Sequence, residues 1–300
     1  VLVAAAGDHR AHHDHRSADA TDHDSVVSHI RVAGAARKPG NSRHARGTSH
    51  RRVRYAVFVS RIVLGILAGM GPRTTAPFLD AVLERCRRTY GAVWDEHFPD
   101  IAVYSLPAPF RPHCVPDRLA MEAALTRGTT ALTRAGAQLI AVPCNTAHIY
   151  FDAIARAAPD ARVLHIVHET LHRLPTGGRA AILATHTLAA SRLYHDALVQ
   201  RGCSLLEDSE CPGIQTQVDA LIECFKSHST APATLQRWAA LRAQLESAGV
   251  DRVVLACTDL AFCAAADQRG RLQIFDSSAI LAEALVDEFC RLEGIAPVGR

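Results

Sequence analysis

From Arg61 to Leu292 short aliphatic runs alternate with longer amphipathic stretches. Ile62–Leu67 reads as a buried strand, Gly69-Met70-Gly71-Pro72 as a turn, and Thr74 or Thr75 as the cap of a helix running to about Tyr90. Ile101–Leu106 is a second strand. Four prolines between Pro107 and Pro116 predict a loop placed to cover a site. Asp117 can cap a helix through about Ala135, followed by a strand at Gln138–Val142 and a helix from Asn145. Further strands are expected at Arg162–Ile166, Ala180–Ala184, Ser204–Leu206, Arg252–Leu255 and Leu272–Phe275. Helices are expected over Leu188–Arg201, Ile214–Lys226, Leu235–Ala248, from Asp259, and over Ala279–Leu292. Strand–helix alternation with nearly continuous aliphatic strands predicts an α/β fold of mainly parallel sheets flanked by helices. Ligands in such folds bind beyond the carboxyl ends of the strands.

An internal repeat sharpens this picture. AGAQLIAVPCNT, from Ala135 to Thr146, recurs without a gap as AGVDRVVLACTD, from Ala248 to Asp259. Each copy places a cysteine, Cys144 or Cys257, just beyond an apolar strand. Two α/β halves, each delivering one thiol to an equivalent place, would account for it. Two inert core cysteines would give the same pattern, since free cysteines are often buried.

Composition narrows the function classes. A net charge of +3 gives no electrostatic case for nucleic acid. The longest apolar run, around Ile62–Met70, is interrupted by Gly65 and Gly69 and is too short to cross a membrane. The nine cysteines are odd in number, irregular in spacing and free of any C-x-x-C. That argues against a zinc site or a disulfide framework and for reduced thiols in the cytoplasm. Residues 1–55 hold eight of the seventeen histidines, four of them within His9–His15, but lack periodic apolar residues. They read as a disordered or dispensable extension rather than a metal site or secretory signal.

The chemistry concentrates at the strand ends. A cysteine at a helix start meets the positive end of the helix dipole, which favours its thiolate. Asn145 and Thr146 add polar side chains, and free N–H groups there suit a carboxylate. His148 is one turn beyond Cys144 and could relay a proton or serve as a hydrogen-bonded core histidine. Asp259 could cap its helix or orient a thiol. The loop Ala68–Thr75 fails the dinucleotide pattern because Thr74 stands where the last glycine belongs.

Ile66–Thr75, Pro143-Cys144-Asn145-Thr146-Ala147-His148 and Ala256-Cys257-Thr258-Asp259, in this order and spacing, resemble the aspartate/glutamate racemase superfamily, and most closely its aspartate branch. The resemblance covers about Ile62 to Leu292. It implies two pseudo-symmetric domains, residues 60–165 with 276–300 and residues 166–275, with the site in the cleft between them. It also implies a racemase without cofactor or metal, acting on aspartate or glutamate, in a family whose members often form homodimers. One cysteine takes the α-proton as thiolate and the other returns a proton to the opposite face. By the same resemblance Met70, Gly71, Thr75, Asn145, Thr146, Thr185 and Thr258 line the substrate site, and Arg111 holds a side-chain carboxylate. Asp196 falls where the aspartate branch is expected to carry a lysine, with Arg192 one turn earlier. Hydantoin racemisation, maleate isomerisation, malonate decarboxylation, cysteine hydrolysis and silent binding of a small acid are the competing expectations. Two retained cysteines favour racemisation, since inversion needs acid and base on opposite faces of Cα.

Overall fold

The computed structural model describes residues 61–111, 115–228, 232–266 and 271–298. The expectation for residues 1–55 lies outside them. Two four-stranded sheets, each wholly parallel, organise these residues. The first contains β1 (Val63–Ala68), β2 (Ile101–Ser105), β3 (Ala137–Ala141) and β4 (Arg162–Val163), in the order β2-β1-β3-β4. The second contains β5 (Arg179–Leu183), β6 (Ser204–Leu205), β7 (Arg252–Leu255) and β8 (Gln273–Asp276), in the order β6-β5-β7-β8. The orders superimpose when β5 is set on β1, so β7 is the counterpart of β3. The internal repeat therefore marks the same central strand of each half.

Helices cover the sheets. In the first half these are α1 (Thr75–Tyr90), α2 (Arg118–Arg134), α3 (Phe151–Ala157) and α4 (Ile166–Arg173). The second half carries α5 (His186–Ala190), α6 (His195–Gln200), α7 (Ile214–His228), α8 (Pro232–Ser247) and α9 (Ala261–Ala266). The closing helix, α10 (Ser277–Glu293), follows β8 but packs on α1 and α4. Asp276 starts it by accepting the N–H groups of Ser278 and Ala279, and Leu281, Leu285 and Phe289 are its buried face. Across this packing Arg85 and Arg173 both pair with Asp287. Leu64, Ile66 and Ala141 of the first sheet share one apolar cluster with Ala184, Val254 and Ala256 of the second. The two sheets are thus joined through a continuous core.

Several expected boundaries differ, each for a local reason. The strand expected at Arg162–Ile166 ends at Val163, and Ile166 begins α4 instead. The helix expected over Leu188–Arg201 breaks into α5 and α6, with Arg192 left-handed at φ 57° between them. Beyond both cysteines the chain first makes a tight 3₁₀ turn, Thr146–Tyr150 or Thr258–Leu260, before α3 or α9. A like turn, Pro72–Thr74, precedes α1, and the Thr74 hydroxyl donates to the Gly71 carbonyl rather than capping the helix. Gly69 has φ +92°, and a Cβ there would lie 2.5 Å from the Leu106 nitrogen. Only glycine lets the chain leave β1 this close to β2. Among the described residues no helix is long and apolar enough to cross a membrane.

Candidate active site

Four strand ends converge on one narrow cavity. Met70 follows β1, Cys144, Asn145 and Thr146 follow β3, Thr185 follows β5, and Ala256, Cys257, Thr258 and Asp259 follow β7. Phe110, from the proline-rich loop after β2, and Lys226, from α7, complete the lining. The two thiols of the repeat therefore face a common space. The polar side chains around them are held by partners on both halves. Asn145 donates to Ser277 at 2.8 Å and accepts from the Tyr194 hydroxyl at 2.7 Å. The Thr146 and Thr185 hydroxyls lie 3.0 Å apart. Thr258 donates to Thr74 at 3.4 Å. Pre-arranged hydroxyls and amides of this kind fix a small ligand's orientation without reorganising.

Lys226 and Asp259 form the charged wall. The Lys226 ammonium is 2.7 Å from one Asp259 oxygen, and the Cys257 Sγ is 3.9 Å from that same oxygen. Burial works against the lysine's charge, but Asp259 outweighs it and holds the ammonium's pKa above its usual value. Gly71 leaves room for the pair, because a Cβ there would sit 3.2 Å from the Lys226 Nζ and 3.7 Å from the other Asp259 oxygen. Burial pushes the Cys144 thiol up to about 11, against the pull of the Ala147 N–H and Lys226. Burial raises Cys257 further, and Asp259 adds to the rise. Cys144 is thus the more readily ionised of two thiols that are both protonated at neutral pH.

Residues 67–285 match the family model for Asp/Glu/Hydantoin racemase. The chain is also 35% identical over 229 residues to a Bacillus subtilis protein named broad specificity amino-acid racemase RacX, a match covering 76% of this chain and 98% of that one. The chain belongs to the Asp/Glu/Hydantoin racemase family. Solved racemases share its fold. Picrophilus torridus aspartate racemase superimposes with a TM-score of 0.60 at 22% identity, covering 76% of this chain and 94% of that one. Campylobacter jejuni glutamate racemase gives 0.55 at 17% identity, covering 76% and 86%.

Other expected site residues of this racemase stand apart from the cavity. The Thr75 hydroxyl accepts the Gly69 N–H at 3.2 Å, so it shapes the loop carrying Met70 and Gly71. Arg111 is exposed and lines a neighbouring recess with Pro109, Phe110 and Asp117. Asp196 is exposed on the surface and paired with Arg192 at 3.1 Å, so it brings no negative charge to the thiols. The lysine that lines the cavity is Lys226, on a different helix, α7. Sequence reasoning missed it, although a signal exists. The chain contains only two lysines, Lys38 and Lys226, and otherwise carries its positive charge on arginine. A compact ammonium fits beside Gly71 where a planar guanidinium would need more room.

His148 takes the structural one of its two expected roles. It is buried, its Nδ1 lies 2.9 Å from the Cys144 carbonyl, and its Nε2 accepts the Ile166 N–H at 3.2 Å. An accepting Nε2 places the proton on Nδ1, which therefore donates to Cys144. Burial lowers its pKa to about 4, so the ring is neutral at neutral pH. The same contact to Ile166 fixes the start of α4. Replacing His148 with alanine leaves one buried carbonyl and one buried N–H unpaired. The expected loss is about 2–5 kcal/mol of stability, measured by thermal or urea unfolding, with the shape of the pH–rate profile retained.

Proposed function

We propose that this racemase inverts the α-carbon of free amino acids by two-base proton transfer between Cys144 and Cys257, without a cofactor. The observation that carries the proposal is the two repeat-related thiols lining one cavity, each at the carboxyl end of a central strand. In one direction the Cys144 thiolate takes the α-proton and becomes a thiol. The electron pair left on Cα delocalises into the α-carboxylate, and the carbon becomes planar. Cys257 then gives its proton to the other face and is left as thiolate. The reverse direction exchanges the roles, and proton exchange with solvent resets the pair. The threonine hydroxyls, with the N–H groups of the turn at Thr146, suit the α-carboxylate, whose developing charge they stabilise. Lys226 carries the positive charge that holds the thiolates, lowering both pKa values against burial.

Aspartate and glutamate are the proposed acidic substrates, with Lys226 as the cation within reach of a side-chain carboxylate. The broad-specificity name of the Bacillus subtilis relative favours a range that extends beyond them. The test is purified protein with reducing agent and no added cofactor, incubated with L-aspartate, L-glutamate, L-alanine and L-lysine, with chirality followed by chiral chromatography. Appearance of a D-enantiomer supports the reading. Unchanged chirality with all four, from folded protein with titratable thiols, counts against it.

A further inference from the structure

We infer that Asp259 is a specificity-determining residue, and that its ion pair with Lys226 makes the pocket readable by acidic, neutral and basic side chains alike. The inference rests on the racemase reading above and concerns the end of the cavity beside Cys257. Among the described lining residues Lys226 is the cation and Asp259 the carboxylate, and they already face each other at 2.7 Å. The charged wall is therefore nearly neutral overall before a substrate arrives. Asp259 is almost wholly buried, while about a third of the Lys226 side chain is exposed.

A lone buried cation would bind a side-chain carboxylate and penalise every substrate that left it unpaired. A paired one behaves differently. An acidic side chain can share the lysine with Asp259. A basic side chain can share the aspartate with Lys226. A neutral one leaves the pair closed. In each case no charge is stranded, so discrimination is low. The second Asp259 oxygen is the one nearer Gly71, 3.7 Å from where a Cβ would stand. The lysine and this second carboxylate oxygen thus both lie against the turn at Gly71, within a cavity that the two thiols also line.

The test compares kcat/KM for L-aspartate, L-alanine and L-lysine by loss of the α-proton in D₂O. In Asp259→Asn the lysine is released, and the aspartate-to-lysine ratio should rise by about tenfold or more. In Lys226→Met the aspartate is released, and the ratio should fall by about tenfold or more. The double variant removes both charges and should favour alanine over either charged substrate. It also keeps the test open should one single variant fail to fold, which circular dichroism would reveal. Ratios that stay constant while all three rates drop together would overturn the inference, because a purely structural pair affects every substrate equally. If the unsubstituted protein exchanges none of the three, the racemase reading itself fails, and the inference falls with it.

Discussion

Replacing either Cys144 or Cys257 with alanine should lower inversion by about 10²–10⁴-fold or more, the usual worth of a positioned acid or base. Both substitutions should leave the fold intact. Each thiol lines the cavity at the margin of an apolar cluster, packed against it rather than among its fully buried members, and the loss of one sulfur there costs little packing. The two variants should also differ in a way that a general loss of structure would not produce. A single surviving thiol reaches one face of Cα. It can wash out the α-proton of one enantiomer, but it has no partner to complete inversion. Cys144→Ala and Cys257→Ala should therefore retain slow exchange with opposite enantiomers. Proton exchange into D- and L-substrates, measured by NMR for each variant, checks this. Full inversion by either variant would rule out its thiol as acid or base.

The second large effect is on pH. Cys144 sits at about 11, raised chiefly by burial. A raised thiol is neutral below its pKa, so reactivity should climb as pH rises toward that value. At pH 7 the thiolate fraction is roughly 10⁻⁴, growing about tenfold per pH unit. Alkylation of Cys144 by iodoacetamide should follow that slope between about pH 7 and pH 10 and flatten near pH 11. Cys257, raised further with Asp259 beside it, should label more slowly throughout. Lys226 lowers both thiols, so Lys226→Met should move the Cys144 curve to higher pH. Mass spectrometry of peptides from timed labelling separates the two sites. A curve centred near an ordinary thiol pKa would show that the cleft is wetter than its burial implies.

Much of this site was legible because its parts are local. The repeat from Ala135 and from Ala248 located β3 and β7, and with them both thiols, since a strand and the residue beyond it are encoded side by side. Met70 and Thr185 were expected from the family resemblance, and each lies just past the first strand of its half. Lys226 was not legible in this way. It lies within α7, and only the packing of that helix against the turn after β7 brings its ammonium to Asp259. Asp196 misled for the same reason, because its helix is broken at Arg192 and turns its side chain to the surface. The end of strand β4 also escaped the pattern. Leu164-His165-Ile166-Val167 is apolar enough to continue a strand. A hydrogen bond from the Ile166 N–H to His148, eighteen positions away, starts a helix there instead. Periodicity records neighbours along the chain and not such contacts.

In the proposed mechanism one thiol takes a proton from Cα and a different thiol returns one to the other face. The direct measurement is the isotope content of both enantiomers early in a reaction run in D₂O from L-aspartate or another accepted single enantiomer. Two-base transfer predicts deuterium at Cα in nearly all of the product, while the recovered substrate keeps its protium. Product that retains the original proton, or substrate that gains deuterium as fast as product forms, would mean that a single group serves both faces, and would contradict the assignment of Cys144 and Cys257 as a pair.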